Sequence, residues 1–490
     1  MLRKIRTILA AVFFVLITLL FLDFTGTLHH WLSWMAKIQF LPAVMALNLV
    51  VVIALVLLTL IFGRIYCSVI CPLGVFQDIL ARLRRKKNKY SYSKEVRWLR
   101  YPMLVVFIVA GVAGIGSLFQ LLAPYSSYGR IATMLFQPLW KMGNNLLAVL
   151  AERADSYAFY TVDTWMRSLP VFIIAAITLV VLVILAWRGG RTYCNTICPV
   201  GTILSFFARF SWFKIHFDTD KCKNCSLCSK NCKAACIDFK THTVDYSRCV
   251  VCGNCIDSCK FGALHYSRPS RNTCSSSSSP IDTSKRSFLL ASALVSTAAL
   301  AQKKEKLMDG GLAELEDKVA PERQTPLTPP GSLSFQNLST RCTGCQLCVS
   351  ECPNQVLRPS SDLMHLMQPT MSYEHGYCRP ECNRCSQVCP AGAIKPVDKD
   401  EKTSIQIGHA VWIKKNCVPI TDGVECGNCA RHCPSGAIEM VPLDESNEES
   451  PMVPAINEAA CIGCGACEYV CPSRPFSAIY VEGHEVHRKI

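Results

Sequence analysis

Twenty-four of the thirty cysteines in this chain fall into six groups of four, and their spacing restricts what each segment can fold around. Four groups share the pattern C-x2-C-x2-C-x3-C: Cys222-Cys225-Cys228-Cys232, Cys249-Cys252-Cys255-Cys259, Cys342-Cys345-Cys348-Cys352 and Cys461-Cys464-Cys467-Cys471. Two groups are irregular, Cys378-Cys382-Cys385-Cys389 and Cys417-Cys426-Cys429-Cys433. Four thiolates are the ligand demand of a 4Fe–4S cluster. In two-cluster folds the three close cysteines hold one cluster and the fourth reaches to its neighbour. Six groups therefore predict about six clusters, and a chain with six one-electron centres is built to move electrons.

Other uses of cysteine fit less well. Disulfide frameworks belong to short secreted chains, and cysteines two residues apart are too close for ordinary bridging. Structural zinc uses C-x2-C pairs, not triplets with a fourth cysteine beyond. A proline follows Cys352, Cys389, Cys433 and Cys471, as in bacterial ferredoxin loops. Lysine follows Cys232 and Cys259, which alters those loops but keeps the ligand spacing.

The chain has 490 residues, half of them hydrophobic and 18% charged, with a net charge of +15. That length allows about three or four domains. The basic residues cluster beside apolar spans, as at Arg82, Arg84, Arg85, Lys86, Lys87 and Lys89. This is the positive-inside pattern of a membrane protein, not a nucleic-acid surface. Four apolar runs, roughly 7–25, 42–62, 101–122 and 170–187, approach the ~20 residues that cross a bilayer. The basic start Met1-Leu2-Arg3-Lys4 places the N-terminus inside. The loop 82–100 is then cytoplasmic and the loop 123–169 external, with 130–150 as an interfacial amphipathic helix.

The expected fold class is multi-domain: an α-helical membrane domain followed by small α+β bacterial-type ferredoxin domains. The membrane domain covers 1–215, a two-cluster domain 216–270, and a four-cluster domain 336–490. Between them, 284–302 reads as a fifth span or export-signal-like segment, carrying Ser284-Lys285-Arg286-Ser287-Phe288-Leu289-Leu290. Residues 303–335, with Pro321, Pro326, Pro329 and Pro330, read as a linker. In the two-cluster domain the crossed rule joins Cys222, Cys225 and Cys228 to Cys259, and Cys249, Cys252 and Cys255 to Cys232. Cys236 is surplus, and Cys274 belongs to no group. The four tail groups pair either in order or nested. The adjacency of the irregular groups makes nesting the more natural expectation.

Two further motifs repeat at membrane ends. Gly63-Arg64-Ile65-Tyr66-Cys67-x3-Cys71-Pro72-Leu73-Gly74 is echoed by Gly190-Arg191-Thr192-Tyr193-Cys194-x3-Cys198-Pro199-Val200-Gly201. The repeat suggests two related hairpins about a pseudo-twofold axis. Cys67, Cys71, Cys194 and Cys198 are then a candidate additional redox centre: a further cluster, another metal, a reactive thiol pair, or free structural thiols. After the first run, His29, His30, Lys37 and Gln39 stand among Trp31 and Trp34, and are the expected quinone contacts. No C-x2-C-H haem motif is present.

The segment with Gly63-Arg64-Ile65-Tyr66-Cys67, Cys71-Pro72, Cys194, Cys198-Pro199 and the next two groups resembles the NapH/MauN-type membrane ferredoxins, and NosR-like regulators share the two C-x3-C-P motifs. The tail, with its long Cys417-to-Cys426 gap, resembles the NapG-type exported ferredoxin, so the chain looks like a NapH–NapG fusion. Two features depart from the pattern: the close spacing of Cys378-x3-Cys382-x2-Cys385, and lysine in the export motif. The resemblance implies oxidation of quinol and delivery of electrons to an extracytoplasmic reductase or cytochrome, in that family typically nitrate reductase. The implied partners are membrane lipid, the quinone pool and that acceptor, with no nucleic acid. The implied place is the bacterial inner membrane, multi-pass, with the four-cluster domain outside. The alternative is an accessory, regulatory or metal-reducing factor that maintains a metalloenzyme.

Overall fold

The structure, a computed structural model, describes residues 2–84, 90–268, 318–444, 446 and 450–490. The expected segment 284–302, most of the expected linker, and Cys274 lie outside the described residues.

Among the described residues, two helices, Leu2–Leu22 and Leu169–Gly189, are long and apolar enough to cross a membrane. Pro170 opens the second, where a missing N–H costs nothing, and Gly190 ends it at φ +68°. The other two expected spans are broken. Run 42–62 becomes Phe40–Met45, a turn with Leu47 at positive φ, and the 14-residue helix Leu49–Phe62. The Asn48 side chain accepts from the Val51 N–H and starts that helix late. Run 101–122 becomes Arg97–Val112 and Gly116–Leu122, parted by Gly114 at φ +72°. Both runs still expose apolar side chains outward, Val50, Ile53 and Leu57 on one and Val105, Ile108 and Val109 on the other. Hydropathy registered the outer surface; the capping asparagine and the left-handed glycine decided the lengths.

Helix Gln137–Glu152 exposes Leu139, Met142, Leu146 and Leu150 while burying Gln137 and Lys141. Its Asn144 and Asn145 side chains donate to the Tyr160 and Val162 carbonyls and hold down the following loop.

Among the described residues, the ferredoxin parts contain five two-stranded antiparallel sheets. Lys214–Phe217 pairs with Leu264–Ser267 and closes the first module. In the tail, Ile405–Trp412 pairs with Ile479–Lys489, bringing the C-terminal strand across both halves. Residues 318–335 of the expected linker pack against the tail. Leu327 is 1% exposed, Gln324 and Thr325 N–H groups donate to Glu482, and the Thr328 hydroxyl meets His487 Nε2 at 2.8 Å. The prolines that suggested a linker stiffen an extended segment that packs as part of the tail.

The two ferredoxin parts sit at opposite ends of Leu2–Leu22. Near its start, Arg3 pairs with Asp257 at 3.3 Å. Near its end, the Gln137 amide donates to the Phe21 carbonyl (3.3 Å) and the Ser350 carbonyl (3.5 Å). Twenty-one helical residues separate those ends by roughly 31 Å.

Candidate iron–sulfur centres

The four regularly spaced ferredoxin loops use the same local device, which the loops before Arg384–Val388 and Asn428–Arg431 lack. A residue in the left-handed region turns the chain sharply before a one-turn helix that carries the third cysteine: Ser226, Gly253, Gln346 and Gly465. The turn leaves backbone N–H groups facing the thiols, as in Gly344 N–H to Cys342 Sγ at 3.4 Å.

Cys222, Cys225, Cys228 and Cys259 line one small cavity, closed by Phe217, Phe239 and Phe261. Cys249, Cys252 and Cys255 gather with Cys232, whose nearness, with burial, raises the Cys252 and Cys255 thiols. Cys236 is a fifth member. Its Sγ lies 3.5 Å from Cys232 Sγ, and that hydrogen bond draws Cys232 down to about 7.

In the tail, Cys352, Cys378, Cys382 and Cys385 line a second such cavity, roofed by Pro329, Pro330 and Pro353. Burial and the thiols of Cys342, Cys345 and Cys389 push Cys348 up. Cys417 is raised by burial, with Cys471 and Cys426 as its thiol neighbours, and Cys429 faces Cys426 and Cys417. Cys461 and Cys464 face Cys433. First therefore pairs with second and third with fourth, so nesting is not what forms. The irregular spacings change loop length and remove the left-handed turn, yet the helices Leu347–Glu351 and Arg384–Val388 pack together, as do Asn428–Arg431 and Ala466–Val470.

Among the described residues, no three Cys, His, Asp or Glu side chains converge as a single metal ion requires. Thiols held apart around a closed void suit a cubane instead. Buried Lys402 fits the same charge logic: it donates to the Arg379 carbonyl (2.5 Å) and the Cys382 carbonyl, and stands beside Cys378. Sequence spacing could not reveal Lys402, Pro329 or Pro330, because each lies outside the motif it serves.

The expected quinone residues do not share a pocket. His29 is buried, its Nδ1 3.0 Å from Glu351 of the tail, while His30 and Lys37 are exposed. Gln39 is fully buried and accepts from the Tyr66 hydroxyl at 3.1 Å. An apolar cavity of about 570 Å³ lies elsewhere, walled by Met134, Phe136, Phe172 and Leu179, with Lys141, Asp163 and Arg167 at its polar side. Arg167 also donates to the Val349 carbonyl at 2.7 Å, beside Cys348.

Cys67, Cys71, Cys194 and Cys198 are brought together in the interior, each 3–4% exposed.

Family models for iron–sulfur domains match five segments. A 4Fe-4S binding domain matches residues 44–90 and again 169–219, one match on each C-x3-C-P motif. A 4Fe-4S dicluster domain matches 341–393 and 424–474, and a further 4Fe-4S binding domain matches 242–265. The methylamine utilization ferredoxin-type protein MauM of Methylobacillus flagellatus is 32% identical over 166 residues, 33% of this chain and 70% of that protein. The chain belongs to the ferredoxin-type proteins. A ferredoxin-type protein NapH of Escherichia coli is 27% identical over 227 residues, 45% of this chain and 67% of that relative. An uncharacterized protein of Methanocaldococcus jannaschii is 25% identical over 281 residues, 56% of this chain and 89% of its own length. No solved structure matches. As a ferredoxin-type protein with several 4Fe-4S domains, the chain is an iron–sulfur electron-transfer protein.

Proposed function

We propose that this chain is a membrane-bound conduit moving electrons between the quinone pool and an extracytoplasmic reductase or cytochrome. When bound, each 4Fe–4S cluster supplies a one-electron centre whose potential the surrounding charge and exposure tune. The observation that carries the reading is the order of the tail's ligand sets. Cys342, Cys345, Cys348 and Cys389 lie against the helical region, where the Gln120 amide donates to the Cys342 carbonyl (3.1 Å) and the Ser126 hydroxyl to the Thr343 carbonyl (2.5 Å). Cys352, Cys378, Cys382 and Cys385 follow. The Cys378 N–H then donates to the Cys464 carbonyl at 2.9 Å, leading to Cys433, Cys461, Cys464 and Cys467. Cys417, Cys426, Cys429 and Cys471 complete the row. In this assignment the crossed sets are the cluster ligands, and Cys232 serves while Cys236 stands behind it.

The basic residues near 82–100 put the 216–268 end in the cytoplasm, so the tail at the other end is extracytoplasmic. The 570 Å³ cavity suits a quinone head: apolar walls for the ring, Lys141 and Arg167 for its oxygens, and the Asp163 carboxylate to take a proton. Oxidising one quinol there releases two electrons toward Cys348 and two protons. A maintenance factor would need thiols that a client metal can reach, and the C-x3-C-P cysteines are buried.

The test is anaerobic mixing of vesicle-reconstituted protein with a naphthoquinol, followed by electron paramagnetic resonance. Tail signals should develop, and Lys141→Leu should raise the quinol concentration needed about tenfold. Clusters that dithionite reduces but no quinol does would overturn the reading.

A further inference from the structure

The two C-x3-C-P motifs lie more than a hundred residues apart, and each supplies two thiols, half the ligand demand of an iron–sulfur cluster. Neither copy can hold one alone. We infer that Cys67, Cys71, Cys194 and Cys198 together bind one shared iron–sulfur cluster in the interior of the helical region, and that it relays electrons between the two ferredoxin parts. The inference rests on the electron-transfer reading above and adds a site and a route to it.

The first support is reciprocal geometry. The Arg64 guanidinium reaches out of its own copy to donate to the Cys194 carbonyl (3.2 Å) and the Asn195 side chain (3.0 Å). Arg191 donates back to the Cys67 carbonyl (2.6 Å). The glycines mirror each other as well. A Cβ on Gly74 would lie 2.2 Å from the Cys67 oxygen, and one on Gly201 would lie 2.3 Å from the Cys194 oxygen. The repeat thus clamps two cysteine hairpins face to face. Cys71 and Cys198 each cap a helix, Pro72–Leu83 and Pro199–Ala208, and the Gly201 N–H donates to Cys198 Sγ at 3.4 Å. Both helix dipoles therefore favour thiolate at the centre.

The second support is charge. Around the centre, Arg6, Arg191 and Lys233 all converge on one carboxylate, Asp78, at 3.0, 2.9 and 3.4 Å. Arg64 is fully buried and donates to neutral oxygens, with Cys67 Sγ at 3.8 Å. Arg64 Nε and Arg191 Nη2 are buried without a hydrogen-bond partner. Buried positive charge in excess needs a buried anion. A thiolate-ligated cluster is net negative, whereas four neutral thiols or two disulfides supply nothing. A zinc ion would meet the charge, but the thiols do not converge on one point.

The third support is position. Arg64 also donates to the Ser247 carbonyl at 3.0 Å, two residues before Cys249, and the Arg191 N–H donates to the Lys233 carbonyl at 2.9 Å, next to Cys232. On the other side Tyr193 adjoins Cys194 and Cys198, and Arg130 stands between Tyr193 and Cys345. One continuous packed core holds Cys252, Cys67, Cys71, Cys198 and Cys345. Tunnelling falls exponentially with distance, so the roughly 31 Å between the two parts calls for an intermediate stop. The transfer is one electron exchanged with the Cys249 side for one exchanged with the Cys345 side, in either direction, with no bond made or broken.

Iron and acid-labile sulfide are counted per chain in anaerobically purified full-length protein, beside Cys71→Ser, Cys198→Ser and the double variant. Because the ligands are shared, all three variants should lose the same amount: about four irons for a cubane or about two for a 2Fe–2S cluster. Equal iron in all proteins, additive losses, or zinc released in place of iron would overturn the inference. As a guard against misfolding, a redox titration of Arg64→Lys should shift one spectroscopic signal and leave those of the ferredoxin loops in place; no shifted signal counts against the site. A wild-type count near eight irons would sink the four-cluster tail, while the difference between wild type and variants still reports on this centre.

Discussion

Cys342, Cys345, Cys348 and Cys389 gather four thiols, as Cys67, Cys71, Cys194 and Cys198 do, but the two sets are held by different means. In the tail set three thiols come from seven consecutive residues, and a left-handed turn at Gln346 positions them with little help from elsewhere. In the interior set no three thiols are local. Two buried arginines, two glycines without room for a Cβ and an aspartate that meets three cations do the positioning. A local set fails by itself when a ligand is lost; a set assembled from distant copies takes part of the fold with it.

Substitutions should expose that difference. The largest effect is expected from Asp78→Asn. It leaves Arg6, Arg191 and Lys233 buried without their carboxylate, and the destabilisation should be roughly 3–5 kcal/mol. Expression yield and thermal unfolding in detergent would read it, and an unaltered midpoint would mean that the interior set is not held by this network. Cys348→Ala in the tail should instead remove about four irons with the helical region intact, so that limited proteolysis of residues 2–215 matches wild type.

His29→Ala tests the joint between the two regions. It strips Glu351, 1% exposed, of its partner, and should weaken tail docking by about 3 kcal/mol. Faster proteolysis within 318–490, with the helical region unaffected, is the expected readout. A milder effect comes with acid. Burial lowers His487 to about 4, so the folded tail resists a proton that the unfolded chain accepts at its ordinary 6.5. Stability from this group is full above that value and declines as pH falls from 6.5 toward 4, by about 3 kcal/mol. His487→Gln should flatten the decline in a melting series over that range. The smallest effect is Cys236→Ser, which should leave iron content unchanged. Loss of a cluster there would move the ligand role from Cys232 to Cys236.

The tail loops were legible because a cluster's ligands and its turn residues occupy one short stretch. Even the surplus of Cys236 could be read, although only the 3.5 Å approach to Cys232 shows where it lies. The repeat around Cys67 and Cys194 was visible as a repeat, but its meaning depends on which copy each arginine serves, and spacing does not record that. Helix lengths were misjudged at Asn48 and Gly114, where one capping side chain and one backbone conformation outweighed a long apolar run. Residues 318–335 looked like a spacer because composition counts prolines and is blind to the strand Ile479–Lys489 waiting some 150 residues later. The displaced pocket has a similar cause: His29 has the chemistry for a quinone but is committed to Glu351, a partner 322 residues away.

Backbone bonds from the Cys378 N–H to the Cys464 carbonyl and from the His487 N–H to the Leu333 carbonyl tie the two halves of the tail. Separation between neighbouring centres is therefore set by main chain, not by side-chain rotamers or a hinge. Under the proposed conduit, a redox partner docking on the far end, near Cys426, would tilt or tug the tail as a unit without altering the spacing along which charge hops. Throughput then becomes a matter of how often partners arrive and leave, and the interior spacing works like a fixed gauge that encounter forces cannot reset.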